Sequence, residues 1–289
     1  MQKEKVVVTG GEGFIGTHLC KALADMGFDV VSVDIKSGKD IRDTALMREM
    51  FKGATYVFHT AALPRVPYSI EHPQETNDHN VTGTLSVLVA ARDAGVKKVI
   101  YSASSSAYGD QDTMPLVETM DARPKSPYAL QKYAGELYCR LFSEVYSLPT
   151  VSLRYFNVYG PGASAEGAYA LVIAKFLKQR QEGKLMTITG DGKQTRDFTH
   201  VRDVVRANIL AAQAEKVGKG EVINIGAGKN ASVNDIAELV GGEVEHIEAR
   251  LEPHDTLADN SLARKLLGWE PKISLEEGIA ELKKLHGLA

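Results

Sequence analysis

The sequence predicts an α/β fold in which a doubly wound parallel sheet is followed by a smaller α+β region. Up to about residue 155, short valine-rich runs alternate with longer runs of helical periodicity, as in parallel sheets covered by helices. Beyond that point the alternation gives way to short strands, turns and separate helices, with no internal repeat. We expect the later region to pack over the carboxyl edge of the sheet.

Composition narrows the class of protein before any motif is considered. The chain has 289 residues, of which 44% are hydrophobic and 25% charged, as in ordinary globular proteins. A net charge of −3 favours neither a nucleic-acid partner nor an acidic membrane, and no apolar run reaches the ~20 residues of a membrane span. Cys20 and Cys139 lie in apolar runs and are expected to be buried thiols. We therefore expect a cytoplasmic protein without a signal peptide, and no metal site is predicted.

The first predicted strand, Lys5 to Thr9, leads into a glycine-rich turn with the sequence GGEGFIG and then a helix. This order places backbone N–H groups and a helix N-terminus where the pyrophosphate of a dinucleotide can bind, as in a Rossmann-type fold. The alternative is that the glycines only form a tight turn. The residues that we expect to contact a cofactor here are Gly10, Gly13, Phe14, Ile15 and Gly16.

The second predicted strand, Asp29 to Val33, ends in Asp34, which lies 24 residues after Gly10. An acidic residue at this distance can accept hydrogen bonds from the adenosine ribose and repels a 2′-phosphate, so it favours NAD over NADP. Asp40 and Ile41 follow, and they could place a carboxylate and a backbone amide against the adenine. The alternative is a solvated, charged turn.

The third predicted strand, Thr55 to Phe58, is followed by HTAALP. The small side chains of Ala61 and Ala62 allow the backbone to approach a flat ligand closely. His59 is expected to be structural, because nothing near it in the sequence pairs with it as a base. Asn80 opens the next helical run, which ends at Gly95.

The strand from Val96 to Ser102 delivers Ser104 to its carboxyl end, where open α/β sheets bind ligands. Ser126 and Pro127 then mark the start of a helix. Tyr128 and Lys132 lie one turn apart on that helix. An ammonium beside a phenol lowers the phenol pKa, so the pair in this context predicts a tyrosine general base, although the spacing alone is a weak signal that is more typical of surface helix residues.

The remaining chain predicts a discontinuous second domain. After a strand from Thr150 to Arg154, helices are predicted at 169–182, 204–214 and 232–240, strands at 221–225 and 243–247, and a helical tail from residue 262. We expect a cofactor domain at 1–160 and a mainly substrate-binding domain at 161–289, with a segment near 197–226 returning to the first domain.

Taken together, these residues resemble the extended short-chain dehydrogenase/reductase superfamily, over essentially the whole chain. The motifs are GGEGFIG, HTAA, YSASSSAYGD, SPYALQK, LRYFNVYGP, GDGKQTRDFTHVRDV and TLADNSLARKLLGWEP. Within the superfamily the chain is most similar to the nucleotide-sugar 4-epimerases, in particular to the branch that handles UDP-N-acetylhexosamines. The resemblance implies NAD as the cofactor and a homodimer formed through a four-helix bundle.

The resemblance also implies a role for each matching residue. Tyr128 would be the base, Lys132 its electrostatic partner on the nicotinamide ribose, and Ser104 a hydrogen-bond partner of the sugar O4. Further cofactor contacts implied in this way are Ala61, Ala62, Asn80, Ser102 and Tyr155. Implied substrate contacts are Ser105, Asn157, Arg196, Arg250 and Thr256, with surface salt bridges as the alternative for the two arginines and a capping role for the threonine.

The implied activity is epimerisation at C4 of a UDP-sugar through a 4-keto intermediate. Thr256 is small enough to leave room for a 2-N-acetyl group, so we expect both plain and N-acetylated hexoses as substrates. Sugar dehydratases and decarboxylases carry acidic residues where this chain has Ser105 and Ser106, and Asp34 disfavours NADPH-dependent reductases. A UDP-glucuronate 4-epimerase remains an alternative. A non-catalytic NAD sensor is a further one, disfavoured because Ser104, Tyr128 and Lys132 are all present.

Overall fold

The computed structural model describes residues 3–165, 171–248 and 255–288. The strands are β1 Lys5–Thr9, β2 Asp29–Val33, β3 Ala54–His59, β4 Lys98–Ser104, β5 Thr150–Tyr155, β6 Val158–Tyr159, β7 Met186–Thr189, β8 Thr195–Asp197, β9 Thr199–His200, β10 Lys219–Ile225, β11 Asn230–Ser232 and β12 Val244–Ile247. The α-helices are α1 Phe14–Asp25, α2 Thr44–Phe51, α3 Val66–Glu71, α4 Pro73–Asn77, α5 Gly83–Asp93, α6 Pro127–Tyr146, α7 Val172–Gln181, α8 Val201–Gln213, α9 Val233–Val240, α10 Ser261–Leu267 and α11 Leu275–Leu285.

Six parallel strands form the central sheet, in the order β10, β5, β4, β3, β1, β2. This is the doubly wound, Rossmann-type α/β architecture that the alternating pattern predicts. The valines of β1 are apolar on both faces of the sheet. Val6 and Val8 pack into the hydrophobic core on one face, and Val7 packs into the core on the other, so helices must cover both faces. Full burial of one such side chain contributes roughly 1.5–3 kcal/mol relative to its exposure.

The two faces of the sheet are covered by different helices. Helices α1 and α8 pack together on the face that also buries Trp269. Helices α2, α5 and α6 cover the opposite face, around Tyr101 and Phe51. Two elements of the C-terminal half belong to the sheet and its covering helices: β10 is an edge strand of the central sheet, and α8 packs on the same face as α1. Residues of the C-terminal half therefore lie next to the carboxyl ends of the strands.

A second, smaller core lies in the C-terminal half, where α7, α9 and α11 pack around Phe176 and Ile236. Among the described residues of this half, β7 pairs with β12, β8 with β11, and β6 with β9. Within the described ranges, no helix combines the length and the apolar character needed to cross a bilayer.

Several elements differ from the sequence predictions in their bounds. Strand β4 runs on to Ser104, two residues beyond the predicted end, and a 3-10 turn from Ser105 to Tyr108 follows it directly. Asn80 lies in a π-helical turn, Asp78–Thr82, ahead of α5. Helices α2, α3 and α4 were not predicted from the sequence, and Ser69 of α3 contacts the site.

Candidate active site

The glycine turn after β1 is built for close backbone approach. Gly10 has φ +71°, and a Cβ on it would lie 2.7 Å from the backbone N of Ala61. A Cβ on Gly16 would lie 2.0 Å from the Gly10 carbonyl oxygen, so α1 packs directly on the turn. Gly13 precedes α1 with no side-chain cap on the helix N-terminus. A glycine-rich turn at the uncapped N-terminus of a helix fits the pyrophosphate of a dinucleotide.

Asp34 lies at the end of β2 beside this turn and is 7% exposed. Its Oδ2 accepts a hydrogen bond from Glu12 N at 3.0 Å, and its Oδ1 accepts one from Lys36 N at 3.0 Å. The Lys36 ammonium in turn donates to the Glu12 carbonyl oxygen at 2.9 Å. The carboxylate is therefore held next to the glycine turn, where the expected ribose contact requires it.

Asp40 and Ile41 follow β2 in the chain, and their side chains have different environments. The Asp40 carboxylate accepts hydrogen bonds from the guanidinium of Arg42, which lowers the pKa of Asp40. The Ile41 side chain is buried and lies where a Cβ on Gly83 would come within 2.6 Å of it. The contacts of Asp40 therefore agree with the charged-turn alternative, while its adenine contact stays a prediction.

Asn80 shapes the loop that carries Ala61 and Ala62. Its Oδ1 accepts from Leu63 N at 2.8 Å, and its Nδ2 donates to the Leu63 carbonyl oxygen at 3.1 Å. The same amide donates to Gln131 Oε1 on α6 at 2.8 Å. Asn80 thus fixes the HTAALP loop against α6, and its predicted contact with the cofactor stays a prediction.

The helix that carries Tyr128 and Lys132 starts as the sequence indicates. Ser126 Oγ accepts a hydrogen bond from Ala129 N at 3.2 Å, and Pro127 occupies the first turn. Tyr128 N donates to Ser69 Oγ on α3 at 3.0 Å, a contact that the sequence analysis missed. A serine three residues into a short helix gives no sequence signal for this role.

Tyr128 and Ser104 meet at the carboxyl end of β4. Burial raises the pKa of Tyr128 to about 12, and a side-chain hydrogen bond with Ser104 opposes that shift. Ser104 Oγ also accepts hydrogen bonds from Ser106 N at 3.2 Å and Ser106 Oγ at 2.8 Å. Ser105 lies in the same 3-10 turn. The structure therefore brings the predicted base and the predicted sugar-binding hydroxyl together.

Lys132 lies one helical turn after Tyr128 on α6 and is 4% exposed. Its Nζ donates to the Ser102 carbonyl oxygen at 2.8 Å and lies 4.9 Å from the centre of the Tyr101 ring. Burial lowers the pKa of Lys132 to about 8. The expectation that the pKa of Tyr128 is lowered is wrong for this structure, because desolvation of the phenol raises that pKa and outweighs the opposing interaction with Ser104.

Tyr155 and Ser102 interact behind the site. The Tyr155 hydroxyl lies 3.0 Å from Ser102 Oγ and 2.8 Å from Asn208 Nδ2 on α8. The Tyr155 ring is buried within the core on the α1 and α8 face. Both hydroxyls thus join β4 and β5 to α8, and their cofactor contacts stay predictions.

The predicted substrate residues of the C-terminal half gather around Asp197. Thr256 Oγ1 accepts hydrogen bonds from Asp197 N at 3.3 Å and from Asn157 Nδ2 at 3.4 Å. Arg196 precedes Asp197 in β8, and its Nη1 donates to the Thr195 carbonyl oxygen at 2.9 Å. Arg250 lies outside the described residues. The structure thus places Asn157 and Thr256 in contact, with Arg196 on the adjoining strand.

Comparison with known proteins identifies the family. A family model described as the NAD dependent epimerase/dehydratase family matches residues 6–226. The chain belongs to this family. Its cofactor is NAD, in agreement with the glycine turn and with Asp34.

Three individual relatives of this family member cover nearly its whole length. The UDP-glucose 4-epimerase of Mycolicibacterium smegmatis is 36% identical over 96% of each chain. The UDP-N-acetylglucosamine 4-epimerase of Methanobrevibacter ruminantium, solved with UDP-N-acetylmuramic acid, is 35% identical with a TM-score of 0.91 over 99% of this chain and 100% of that one. The UDP-glucuronic acid 4-epimerase of Bacillus cereus, solved with UDP-glucuronic acid and NAD, is 32% identical with a TM-score of 0.88 over 98% and 99%.

Proposed function

We propose that this member of the family is an isomerase that epimerises a UDP-sugar at C4 through a transient 4-keto sugar. The observation that carries the proposal is the placement of the buried Tyr128 side chain beside Ser104, with the buried Lys132 ammonium one helical turn along α6 and bonded to the Ser102 carbonyl oxygen. Two hydroxyls and one cation at the carboxyl edge of the sheet form a site that can hold and move one proton. The similarity to three named 4-epimerases supports the same reaction.

The protein groups divide the proton chemistry between them. Ser104 holds the sugar O4 by a hydrogen bond, and Tyr128 accepts the O4 proton. The hydroxyl of Ser106, bonded to Ser104 Oγ, fixes the orientation of that serine. Bound NAD supplies the acceptor and donor of the C4 hydride, together with a positive charge that favours the phenolate. In the loaded site this charge would act together with the Lys132 ammonium to lower the pKa of Tyr128, which burial raises in the free protein.

The test of this proposal is the Tyr128→Phe variant, assayed for C4 epimers of UDP-glucose by NMR. Loss of general-base catalysis is expected to lower turnover by roughly 10²–10⁴-fold, with an unchanged circular dichroism spectrum. Tyr146→Phe is the matched control, because Tyr146 lies at the far end of the same helix and is largely exposed. Near-normal turnover in Tyr128→Phe would refute the assignment.

We further propose that the site accepts both UDP-glucose or UDP-galactose and their N-acetyl forms, with Thr256 at the sugar pocket. The Thr256 hydroxyl bonds inward to Asp197 N and Asn157, so this side chain adds little bulk at the pocket. Thr256→Tyr is expected to reduce turnover of UDP-N-acetylglucosamine far more than that of UDP-glucose. Thr256→Val is the control that removes the hydroxyl without adding bulk. Equal losses for both sugars in Thr256→Tyr would contradict the pocket argument.

UDP-glucuronate is the second candidate substrate, favoured by the similarity to the Bacillus cereus enzyme. A panel of UDP-glucose, UDP-N-acetylglucosamine and UDP-glucuronate, each examined for its C4 epimer, separates these candidates. Turnover of UDP-glucuronate alone would replace the hexose assignment while leaving the Tyr128 mechanism in place.

Residues 161–289 are proposed to supply most of the substrate contacts. These include Thr256, which contacts Asn157, and the predicted Arg196 and Arg250.

A homodimer is proposed through α6. This helix leaves four large apolar side chains exposed along one stripe, with relative exposures of 40–59%. They are Leu130, Leu137, Leu141 and Val145. Their spacing of seven, four and four residues keeps them on one face of the helix, as a helix-bundle interface requires.

The Leu137→Glu/Leu141→Glu double variant tests the dimer by sedimentation velocity. Charges in the stripe are expected to convert a dimer to a monomer, whereas Leu285→Glu, on an exposed residue of α11, is expected to leave the dimer intact. A wild-type protein that sediments as a monomer would refute this proposal. The cytoplasmic location stays a prediction.

A further inference from the structure

Helix α6 carries a buried glutamate one turn beyond Lys132. Tyr128, Lys132 and Glu136 follow one another at intervals of four residues, so they lie along the same face of the helix. Glu136 is 2% exposed. Its carboxylate accepts two hydrogen bonds from the Arg154 guanidinium of β5, at 2.9 Å from Nε and 2.7 Å from Nη2.

This ion pair is costly to bury, and no step of the proposed reaction uses it. Moving two charges out of water carries a desolvation cost that their mutual attraction often only offsets, so a buried pair is weak support for a stabilising role. The Arg154 guanidinium also lies 4.4 Å from the centre of the Tyr108 ring, at the end of the turn that begins with Ser105. Arg154 therefore contacts both the segment that follows Ser104 and the helix that carries Tyr128.

We propose that the Arg154–Glu136 pair is a positioning device that keeps a negative charge fixed one helical turn from Lys132 and so holds Lys132 in its ammonium form, one turn from Tyr128. Arg154 fixes the ionised Glu136, and Glu136 stabilises the Lys132 charge across one helical turn. The consequence for the reaction rests on the proposed roles of Tyr128 and Lys132. The charge of Lys132 itself can be measured without any reaction.

The other titratable groups around Lys132 are neutral in the working pH range. On β3, burial lowers the pKa of His59 to about 3, and on β4 burial raises the pKa of Tyr101 well above its usual value. On α6 itself, burial raises the pKa of both Tyr128 and Cys139 to about 12. Among the described residues that act on Lys132, Glu136 is thus the one that carries negative charge near neutral pH.

Two opposing effects act on Lys132 and on Glu136. Burial is the largest influence on Lys132 and lowers its pKa, while the interactions with Cys139 and with Glu136 raise it. Burial also raises the pKa of Glu136, and the hydrogen bonds and charge of Arg154 lower it. Without Arg154 the carboxyl group would favour its neutral form, and the Lys132 ammonium would lose its counter-charge.

The test is a direct titration of Lys132 in the ligand-free protein, by NMR of side-chain ¹³C-labelled lysine. The Lys132 resonance is assigned from its loss in Lys132→Met. In wild type we expect a pKa of about 8. In Glu136→Gln we expect it to fall by roughly one unit, a tenfold change in the protonation ratio. Glu136→Asp keeps the charge and is expected to restore most of the wild-type value.

Glu144→Gln is the matched control, because it removes the same charge from an exposed position two turns farther along α6. It is expected to leave the Lys132 titration unchanged. If Glu136→Gln does not fold, Glu136→Gln/Arg154→Gln removes both charges and leaves no unpaired ion, and the Lys132 pKa is again expected to fall. A Lys132 pKa equal to wild type in either folded variant would overturn the proposal.

The activity profile provides the second measurement. In Glu136→Gln the alkaline limit of epimerisation is expected to move to lower pH by the same amount as the Lys132 titration. A purely structural pair would lower stability without moving either titration. Failure of the proposed function would be seen separately, as retained turnover in Tyr128→Phe, and it would leave the NMR result standing.

Discussion

The Nε2 atom of His59 and the Oγ1 atom of Thr84 lie 2.9 Å apart in the core. Thr84 Oγ1 donates its own proton to the Asn80 carbonyl oxygen at 2.6 Å, so it can only accept from His59. The proton of the neutral ring is therefore on Nε2, and Nδ1 accepts from Thr9 Oγ1 at 2.7 Å. His59 thus joins β1 to α5 as a neutral imidazole, in agreement with its predicted structural role.

This arrangement predicts a loss of stability in acid. Burial, with a smaller contribution from the Lys132 charge, lowers the pKa of His59 to about 3, below the ~6.5 of an unfolded histidine. Between these values the unfolded chain binds more protons, so the free energy of unfolding falls as the pH falls, by up to ~1.4 kcal/mol per pH unit. Urea unfolding at pH 7 and pH 4.5 measures the change.

The His59→Gln variant isolates the contribution of this residue, since a glutamine amide can replace the Nε2 donor but does not titrate. Its stability is expected to decline less steeply between pH 7 and pH 4.5 than that of wild type. Identical slopes in the two proteins would assign the acid sensitivity to other groups.

The position of Asp34 predicts the choice of cofactor. A carboxylate beside the glycine turn repels a 2′-phosphate, and removal of that charge in Asp34→Asn is expected to narrow the preference for NADH over NADPH by about tenfold, or ~1.4 kcal/mol. Fluorescence titration with both nucleotides measures the ratio of dissociation constants. Asp34→Glu keeps the charge and is the control. An unchanged ratio in Asp34→Asn would show that the discrimination arises elsewhere.

Because the glycine turn is closely packed, even a methyl side chain in it is expected to lower stability and weaken NAD binding. In Gly16→Ala the new Cβ would lie 2.0 Å from the Gly10 carbonyl oxygen, so the helix must shift, at a cost of roughly 1–3 kcal/mol. Weaker NAD binding should accompany the loss of stability. In Gly13→Ala the corresponding distance is 3.2 Å, and a smaller effect is expected. Denaturant unfolding and NAD titration of both variants check this order, and equal effects would contradict it.

The Asp197 carboxylate anchors two C-terminal loops beside β8. Its carboxylate accepts hydrogen bonds from Ala227 N at 2.7 Å, Gly228 N at 2.9 Å and Ala258 N at 3.1 Å. An asparagine offers one oxygen in place of two, so at least one buried N–H would lose its acceptor.

Asp197→Asn is therefore expected to lower the free energy of unfolding by ~1–3 kcal/mol for each N–H left without a partner. Asp259→Asn is the control, because the Asp259 carboxylate accepts from Ser261 N at the surface and its loss should cost under ~1 kcal/mol. Equal effects of the two substitutions in urea unfolding would contradict this account of Asp197.

Features that depend on neighbours in the chain were accessible from the sequence. The strand, glycine turn and helix at residues 5–25 follow from local pattern, and so does the start of α6 at Ser126 and Pro127. The spacing of Tyr128 and Lys132 on one helical turn is likewise local. Contacts between distant segments were not accessible, such as Ser69 with Tyr128 or Arg154 with Glu136, because no periodic signal marks them.

The sequence by itself determined that this chain forms a doubly wound parallel sheet and places a tyrosine one turn before a lysine, and it predicts a dinucleotide site at the first turn. Only the tertiary structure decided the electrostatics of that pair. It buries Tyr128 and Lys132, which raises the pKa of one and lowers the pKa of the other, and it places Glu136 and Arg154 behind them. The physical reason is that hydrophobic periodicity is a property of neighbouring residues in the sequence, whereas desolvation of a group depends on every segment that packs around it.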